Sequence, residues 1–173
     1  MLTPYLLIGQ VLKPQGVRGE AKLRCDASEP DTCLAWTTLY LKKGEEYTPI
    51  GVRFSRVQDG IGYATFEGCS TPEDVEKLRG EDLYIDRAHA APLAEGEYYL
   101  CDLYGCRAVD EQGREIGVLT NVLQYSATDI YVFRTPKGEM MAPALPDVFV
   151  HVDVAADRMD VCSPRLAEVA VWQ

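Results

Sequence analysis

Two adjacent tyrosines, Tyr98 and Tyr99, are the residues in this chain best suited to bind another molecule. Neighbouring side chains on an extended strand project to opposite faces, so one ring is expected in a core and the other outside it. An exposed tyrosine combines a rigid apolar ring with a polar tip, and tyrosines are enriched at interface hot spots. The alternative is that both rings only pack within the protein, and the sequence favours neither interpretation.

Residue types that could perform catalysis are present, but no motif combines them. The chain has no serine nucleophile elbow, no H-E-x-x-H zinc motif and no dinucleotide fingerprint. His89 is expected in a solvated linker and His151 at an edge or surface position. The six cysteines form no C-x-x-C pair, which favours free thiols in a reducing, cytoplasmic compartment. We therefore predict a binding protein without catalytic residues, metal or cofactor, and an enzyme is the third alternative.

A glycine-containing segment near the N terminus, KPQGVRGE, is the one locally basic strip of the first half. Gly16 and Gly19 permit positive φ, so the connection is predicted to be a shaped structural loop. Lys13, Arg18 and Lys22 could contact the phosphates of RNA, because glycine lets backbone N–H groups approach an anion while the cations attract it. The alternative is a glycine-shaped hairpin that binds nothing.

Short antiparallel strands are the elements expected to position these residues in the first half. The dipeptide Asp59-Gly60 between two alternating apolar runs is a strong hairpin signal. One helix is predicted to begin after the N-cap Thr71 and to end at Gly80, and a closing strand follows. Strands at this close, regular spacing predict an antiparallel barrel.

The second half is predicted to form another small barrel that begins with a strand at the tyrosine pair. The polar turn DEQG joins two further strands, and Gly105 and Gly117 are interpreted as bulges or close backbone approaches within them. A short helix is predicted over Leu166–Val171. The expected organisation is a first domain over residues 1–88, a linker over 89–96 and a second domain over 97–173.

Charge is distributed unequally along the chain, whose formal net charge is −10. Residues 1–92 contain 11 basic and 14 acidic side chains, whereas residues 93–173 contain 6 and 13. An acidic surface repels nucleic acid and attracts basic proteins, although solubility alone also accounts for it. The N-terminal MLTPYLLIG lacks the basic residues and the apolar length of a signal peptide or membrane span, so no membrane association is expected.

Five segments of the chain occur in an order typical of one known family. They are IGQV with GVRGE after residue 7, TPEDVEKLRGEDL after residue 70, EYY with DLYG after residue 96, DEQGREIG after residue 109, and APALPD after residue 141. With these segments the chain resembles the RimM family of ribosome maturation factors, which act on the small subunit. Two positions depart from the family pattern: Gln15 stands where a histidine is typical, and Met141-Ala142-Pro143 replaces a more aliphatic sequence.

The resemblance implies a mainly β fold of two small antiparallel barrels, with one or two short helices. The first barrel would be of translation-factor type and the second of PRC type. It also implies a monomeric, non-enzymatic assembly factor that binds small-subunit ribosomal protein nineteen, a basic protein of the subunit head, and assists maturation of the precursor subunit and its rRNA. The alternative is a PRC-barrel adaptor of a non-ribosomal complex. The expected partner-binding residues are Tyr98, Tyr99, Asp102, Leu103 and Gly105, and the expected rRNA contacts are Lys13, Arg18 and Lys22.

Overall fold

The structure is a computed structural model that describes residues 2–26 and 30–173, with Pro30 described by its backbone alone. These residues form two compact units. The first unit is Pro4–Pro92, and the second comprises residues 2 and 3 together with Leu93–Gln173. The division between Pro92 and Leu93 falls inside the segment that the sequence predicts as a linker.

The first unit is a closed barrel of six antiparallel strands, as the spacing of the strands predicts. Hydrogen bonds join the strands in the order β1-β2-β5-β4-β3-β6, and the ring closes because β1 pairs with both β2 and β6. The strands are β1 (Tyr5–Gln15), β2 (Glu20–Cys25), β3 (Thr38–Lys43), β4 (Glu46–Gln58), β5 (Ile61–Phe66) and β6 (Asp82–Asp86).

Alternation of side chains along these strands fills the barrel. In β2, for example, Ala21 and Leu23 are fully buried while the residues between them face outward. The predicted hairpin between β4 and β5 turns at Asp59 and Gly60, which both have positive φ, as the twist of two joined strands requires. The sequence pattern therefore predicts both the inward face and the main turn of the barrel.

Two short helices accompany the first barrel. Helix α1 (Pro30–Leu34) was not predicted, whereas α2 (Pro72–Glu76) begins where the capping signals place it. The predicted end at Gly80 is wrong: α2 ends at Glu76, because the N–H groups of Leu78 and Arg79 bond to carbonyls three residues earlier, in turns. The Thr71 hydroxyl accepts the Asp74 N–H at 3.2 Å, and the Asp74 carboxylate accepts the Thr71 N–H at 3.0 Å. This reciprocal capping box satisfies two backbone donors that a helix start otherwise leaves without partners.

The second unit is a sheet of seven strands in the order β11-β12-β7-β8-β9-β10-β13. Five of its six strand pairs are antiparallel, as predicted, and the β7–β12 pair is parallel. Strands β11 and β13 form the two ends of the hydrogen-bonded order. The strands are β7 (Arg107–Val109), β8 (Glu115–Leu123), β9 (Ile130–Thr135), β10 (Gly138–Pro143), β11 (Phe149–Asp153), β12 (Arg158–Val161) and β13 (Val171–Trp172).

The strand predicted at the tyrosine pair is wrong. Helix α3 (Leu100–Leu103) follows Tyr99 directly, and β7 begins only at Arg107. Leu100 and Leu103 are three residues apart, so one face of a single helical turn brings both toward the core. Gly105 then reverses the chain with φ +89° outside any strand, which corrects its interpretation as a strand bulge.

The helices of the second unit also differ from the prediction at the C terminus. Helix α4 (Ser163–Val169) begins and ends earlier than predicted. Trp172, which was expected on this helix, lies in β13. The described residues contain four short α-helices and one 3₁₀ turn at Arg87–His89, against the one or two helices expected. None of the helices in these residues has the length and apolar character needed to cross a membrane.

Candidate protein-binding groove

A groove of about 380 Å³ opens on the second unit beside Tyr98. Glu95, Gly96 and Tyr98 contribute to its lining, together with Tyr131 and residues 144–146 and 149–152. It lies along β11, the strand at one end of the sheet. One edge of β11 is hydrogen-bonded to β12. We call this feature the Tyr98 groove.

Two buried aromatic residues contribute to the lining of the Tyr98 groove. Tyr131 and Phe149 have ring centroids 5.0 Å apart, and Phe149 stacks on Phe133 at 5.7 Å. Burial, with a smaller effect from the charge of Asp129, raises the pKa of Tyr131 to about 12. The phenol is therefore neutral at physiological pH, and these packed rings form a rigid part of the groove wall.

The segment that leads into β11 is held by backbone hydrogen bonds. The Leu145 carbonyl accepts the N–H groups of Val148 and Phe149 at 3.0 and 2.9 Å, and the Ala144 N–H donates to the Asp129 carbonyl at 2.8 Å. Val148 is completely buried in the core. The prolines at positions 143 and 146 restrict the same segment further. This side of the groove is therefore pre-formed, which lowers the entropic cost of binding.

Tyr98 and Tyr99 have different surroundings, although they do not lie on a strand that would direct their rings to opposite faces. Tyr98 is partly exposed, packs against the core and lines the groove. Tyr99 is also half-buried, but it does not line the groove and instead lies at the N-cap of α3. Of the two rings, Tyr98 is therefore the one at the groove.

Three other predicted binding residues, Asp102, Leu103 and Gly105, lie outside the groove lining. Leu103 is 3% exposed and belongs to the core, and Asp102 is 4% exposed and accepts the Thr3 N–H at 3.4 Å. The Gly105 N–H donates to the Leu119 carbonyl at 2.9 Å, which anchors the reversal after α3. Their positions fit residues that hold the segment after Tyr98 in place, and their role in binding stays a prediction.

The predicted basic loop is largely part of a hairpin. Strands β1 and β2 extend to Gln15 and Glu20, so Lys13 and Lys22 are cross-strand partners and only Arg18 lies in the turn. Gly16 and Gly19 have φ values of +66° and +74°. A Cβ on Gly19 would lie 2.7 Å from the Cys69 carbonyl oxygen, so this glycine also permits close packing. Lys13 and Arg18 are exposed and Lys22 is half-buried.

Sequence reasoning missed the residues of β11 that line the groove. The signal lies in two adjacent apolar residues at the start of β11, Phe149 and Val150, because a strand with one solvent-facing side can bury only alternate side chains. Val150 is 59% exposed as a result. An uninterrupted apolar run in a strand with one solvent-facing side indicates a surface available to a partner.

Two titratable side chains besides the tyrosines line the groove, Glu95 and His151. His151 is exposed on β11, and His89 in the other unit contacts the Asp86 carboxylate at 2.7 Å. Within residues 2–26 and 30–173, no group of three or more His, Cys, Asp or Glu side chains could hold a metal ion. All six cysteines are free thiols. The lining of the groove therefore offers both apolar and polar contacts.

A six-stranded barrel followed by a second β unit, with a groove beside the end strand of its sheet, defines a two-domain, mainly β protein. Residues 6–90 match the profile of the RimM N-terminal domain, and residues 100–165 match that of the RimM PRC barrel domain. The chain belongs to the RimM family of ribosome maturation factors.

Individual relatives are similar over nearly the whole chain. The ribosome maturation factor RimM of Desulfitobacterium hafniense is 38% identical, covering 92% of this chain and 92% of the relative. That of Bacillus cytotoxicus is 33% identical, covering 92% and 96%. The solution structure of the N-terminal domain of RimM from Thermus thermophilus aligns with 53% of this chain and all of that domain, at 22% identity and a TM-score of 0.42.

Proposed function

We propose that this chain is a non-enzymatic, cytoplasmic ribosome assembly factor that binds small-subunit ribosomal protein nineteen through the Tyr98 groove. In binding this basic protein of the subunit head, it assists maturation of the precursor subunit and processing of its rRNA. Family membership supports the ribosomal role, because the similar relatives are named ribosome maturation factors. The chain acts as a monomer with no bound cofactor.

The Tyr98 groove is the observation that carries this proposal. It combines a partly exposed tyrosine, the buried rings of Tyr131 and Phe149 and the exposed Val150 on an end strand of the sheet. A partner segment can bury its apolar side chains there and can also pair with the backbone of β11. The surplus of acidic side chains in residues 93–173 attracts a basic protein to this unit.

The remaining predicted residues take supporting roles in the proposal. Leu103 and Gly105 fix the path of the chain after the tyrosine pair, and Tyr99 occupies the N-cap position of the intervening helix. In the first unit, Lys13, Arg18 and Lys22 contact phosphates of the rRNA. The exposure of Lys13 and Arg18 on the β1–β2 hairpin supports this second contact.

Replacing Tyr98 by alanine tests the partner-binding site. Truncation of a central interface tyrosine typically costs about 2 kcal/mol, so we expect Kd for purified ribosomal protein nineteen to rise at least about tenfold. Isothermal titration calorimetry measures this change, and thermal melting by circular dichroism checks that the variant is folded.

Tyr125→Ala is the matched control, because Tyr125 lies in the same unit, is 61% exposed and does not line the groove. Its Kd should equal that of the wild type. Equal affinities for both folded variants would contradict the groove assignment. Sedimentation of lysates tests the adaptor alternative, since an assembly factor should migrate with free small subunits and an adaptor should not.

A further inference from the structure

We propose that a row of four side chains on the outer face of the first barrel binds the backbone of a single-stranded RNA segment. The row consists of Lys13, Lys22, Tyr63 and Arg56, and we call it the cationic row. This inference rests on the proposed function only in taking rRNA as the nearby nucleic acid. It adds Tyr63 and Arg56, and it gives the RNA a direction across the strands.

Strand register places the four residues side by side. Lys13 on β1 is opposite Lys22 on β2, Lys22 is opposite Tyr63 on β5, and Tyr63 is opposite Arg56 on β4. All four point away from the barrel interior: Lys13 and Arg56 are exposed, and Lys22 and Tyr63 are half-buried between fully or nearly fully buried neighbours. Three inter-strand steps of about 4.8 Å give the row a length of about 14 Å.

Tyr63 holds Arg56 in a defined orientation. The guanidinium carbon lies 3.9 Å from the centroid of the Tyr63 ring, well within the range of a cation–π contact. Within the described residues, no side-chain or backbone oxygen accepts a hydrogen bond from the Arg56 guanidinium, so its N–H donors stay available to an external anion. Arginine presents such donors in a fork that matches a phosphate. Arg56 is therefore pre-organised to bind an anion.

The cations of the row are not engaged by carboxylates of the protein. Three other cations of this unit form ion pairs: Arg24 with Asp26 at 3.0 Å, Arg79 with Glu76 at 3.1 Å and Lys77 with Asp74 at 3.8 Å. Within the described part of the chain, Lys13, Lys22 and Arg56 have no such pair. Their charges are thus available to an external polyanion, although the unit as a whole is slightly acidic.

A flexible single strand fits this surface better than a duplex. The row runs across a convex barrel and carries one aromatic ring among cations, and stacking of unpaired bases on such rings accompanies phosphate contacts in single-strand binding. Glu20 faces the same side two residues before Lys22 and binds the Ser55 hydroxyl at 2.7 Å. Its charge disfavours a path along β2 and favours one across the strands.

Fluorescence anisotropy with the full chain and a fluorescein-labelled ten-nucleotide oligouridine tests the proposal. The double variant Lys22→Gln/Arg56→Gln should bind about tenfold more weakly at low salt. Each lost phosphate contact should also reduce the slope of log affinity against log salt concentration by about 0.7. Tyr63→Phe should retain binding because it keeps the ring, whereas Tyr63→Leu should weaken it by releasing Arg56.

Lys77→Gln/Arg79→Gln is the matched control, since it removes the same charge from the same unit at cations that are already paired. Equal losses in both double variants would show a response to net charge alone and overturn the proposal. An unchanged affinity of the Lys22→Gln/Arg56→Gln variant would overturn it too, as would tighter binding to a duplex of the same length. Because the row lies outside the Tyr98 groove, affinity for ribosomal protein nineteen reports separately on the proposed function.

Discussion

Asp110 ties the turn between β7 and β8 through three accepted hydrogen bonds. Its carboxylate accepts the N–H groups of Gln112 and Arg114 at 2.9 and 2.8 Å and the Arg114 guanidinium at 2.8 Å. The Arg114 backbone bond is the largest effect that lowers the pKa of Asp110, with contributions from the Arg114 side chain and the Gln112 N–H. The ionised form is therefore the one that stabilises this turn.

Asp110→Asn should lower the free energy of unfolding in a pH-dependent way. The pKa of Asp110 in the folded protein lies below its value in the unfolded chain, about 3.9. The stabilisation is thus fully present above that pH and is lost as the pH falls through the folded-state pKa. Urea unfolding from pH 7 to pH 2.5 should show a difference between variant and wild type that shrinks below about pH 4. Glu139→Gln, at an exposed strand position, is the control, and a difference independent of pH would contradict this account.

Tyr98 illustrates how far single residues could be interpreted from the sequence. The residue type predicted a binding ring, and the structure places that ring at a groove. The physical reason given for it was wrong, because a helical turn and not a strand follows the pair. Two adjacent aromatic residues are compatible with either local conformation. Only the packing of Leu103 in the core decides between them.

Helix α2 depends on its capping box more than on its length. Five residues are too few for a helix to be stable by itself, yet α2 delivers Val75, which is completely buried, to the barrel core. Thr71→Ala removes the hydroxyl that accepts the Asp74 N–H, so we expect a loss of about 1 kcal/mol in the free energy of unfolding. Thr71→Ser keeps the acceptor and should lose much less in the same denaturant titration. Equal losses would show that the cap does not stabilise the helix.

Elements with strong local signals could be predicted, and those held by tertiary packing could not. Asp59-Gly60 fixed the β4–β5 hairpin and Thr71-Pro72 fixed the start of α2, because each signal acts through its own backbone. Helix α3 has four residues, too few for an apolar period to be recognised. For α4, Pro164 in the first turn was the available signal, since proline is favoured at the start of a helix.

The whole molecule combines a six-stranded barrel and a seven-stranded sheet with an uneven distribution of charge along the chain. Three of the six strand pairs in the first barrel are hairpins between sequence neighbours, and a single sequence can indicate these. The pairs β2–β5, β3–β6 and β1–β6 join strands that are distant in sequence, so they follow only from the assembled fold. The Tyr98 groove joins residues near positions 95, 131 and 150, and no local pattern states that these segments meet. The cationic row likewise depends on the register of four strands. Sites of this kind appear only when the fold is assembled.

Charge and apolar contact should act on different steps of partner binding. Residues 93–173 contain 13 acidic and 6 basic side chains, and this excess of negative charge attracts a basic protein. Salt shortens the range of the attraction, because the Debye length falls from about 30 Å at 0.01 M to about 8 Å at 0.15 M. We therefore expect the association rate constant for ribosomal protein nineteen to fall at least about tenfold between these salt concentrations, with a smaller change in dissociation. Tyr98→Ala should instead accelerate dissociation, because the ring contributes only after docking. Stopped-flow fluorescence resolves both rate constants, and a salt-independent association rate would show that the acidic surface does not guide this encounter.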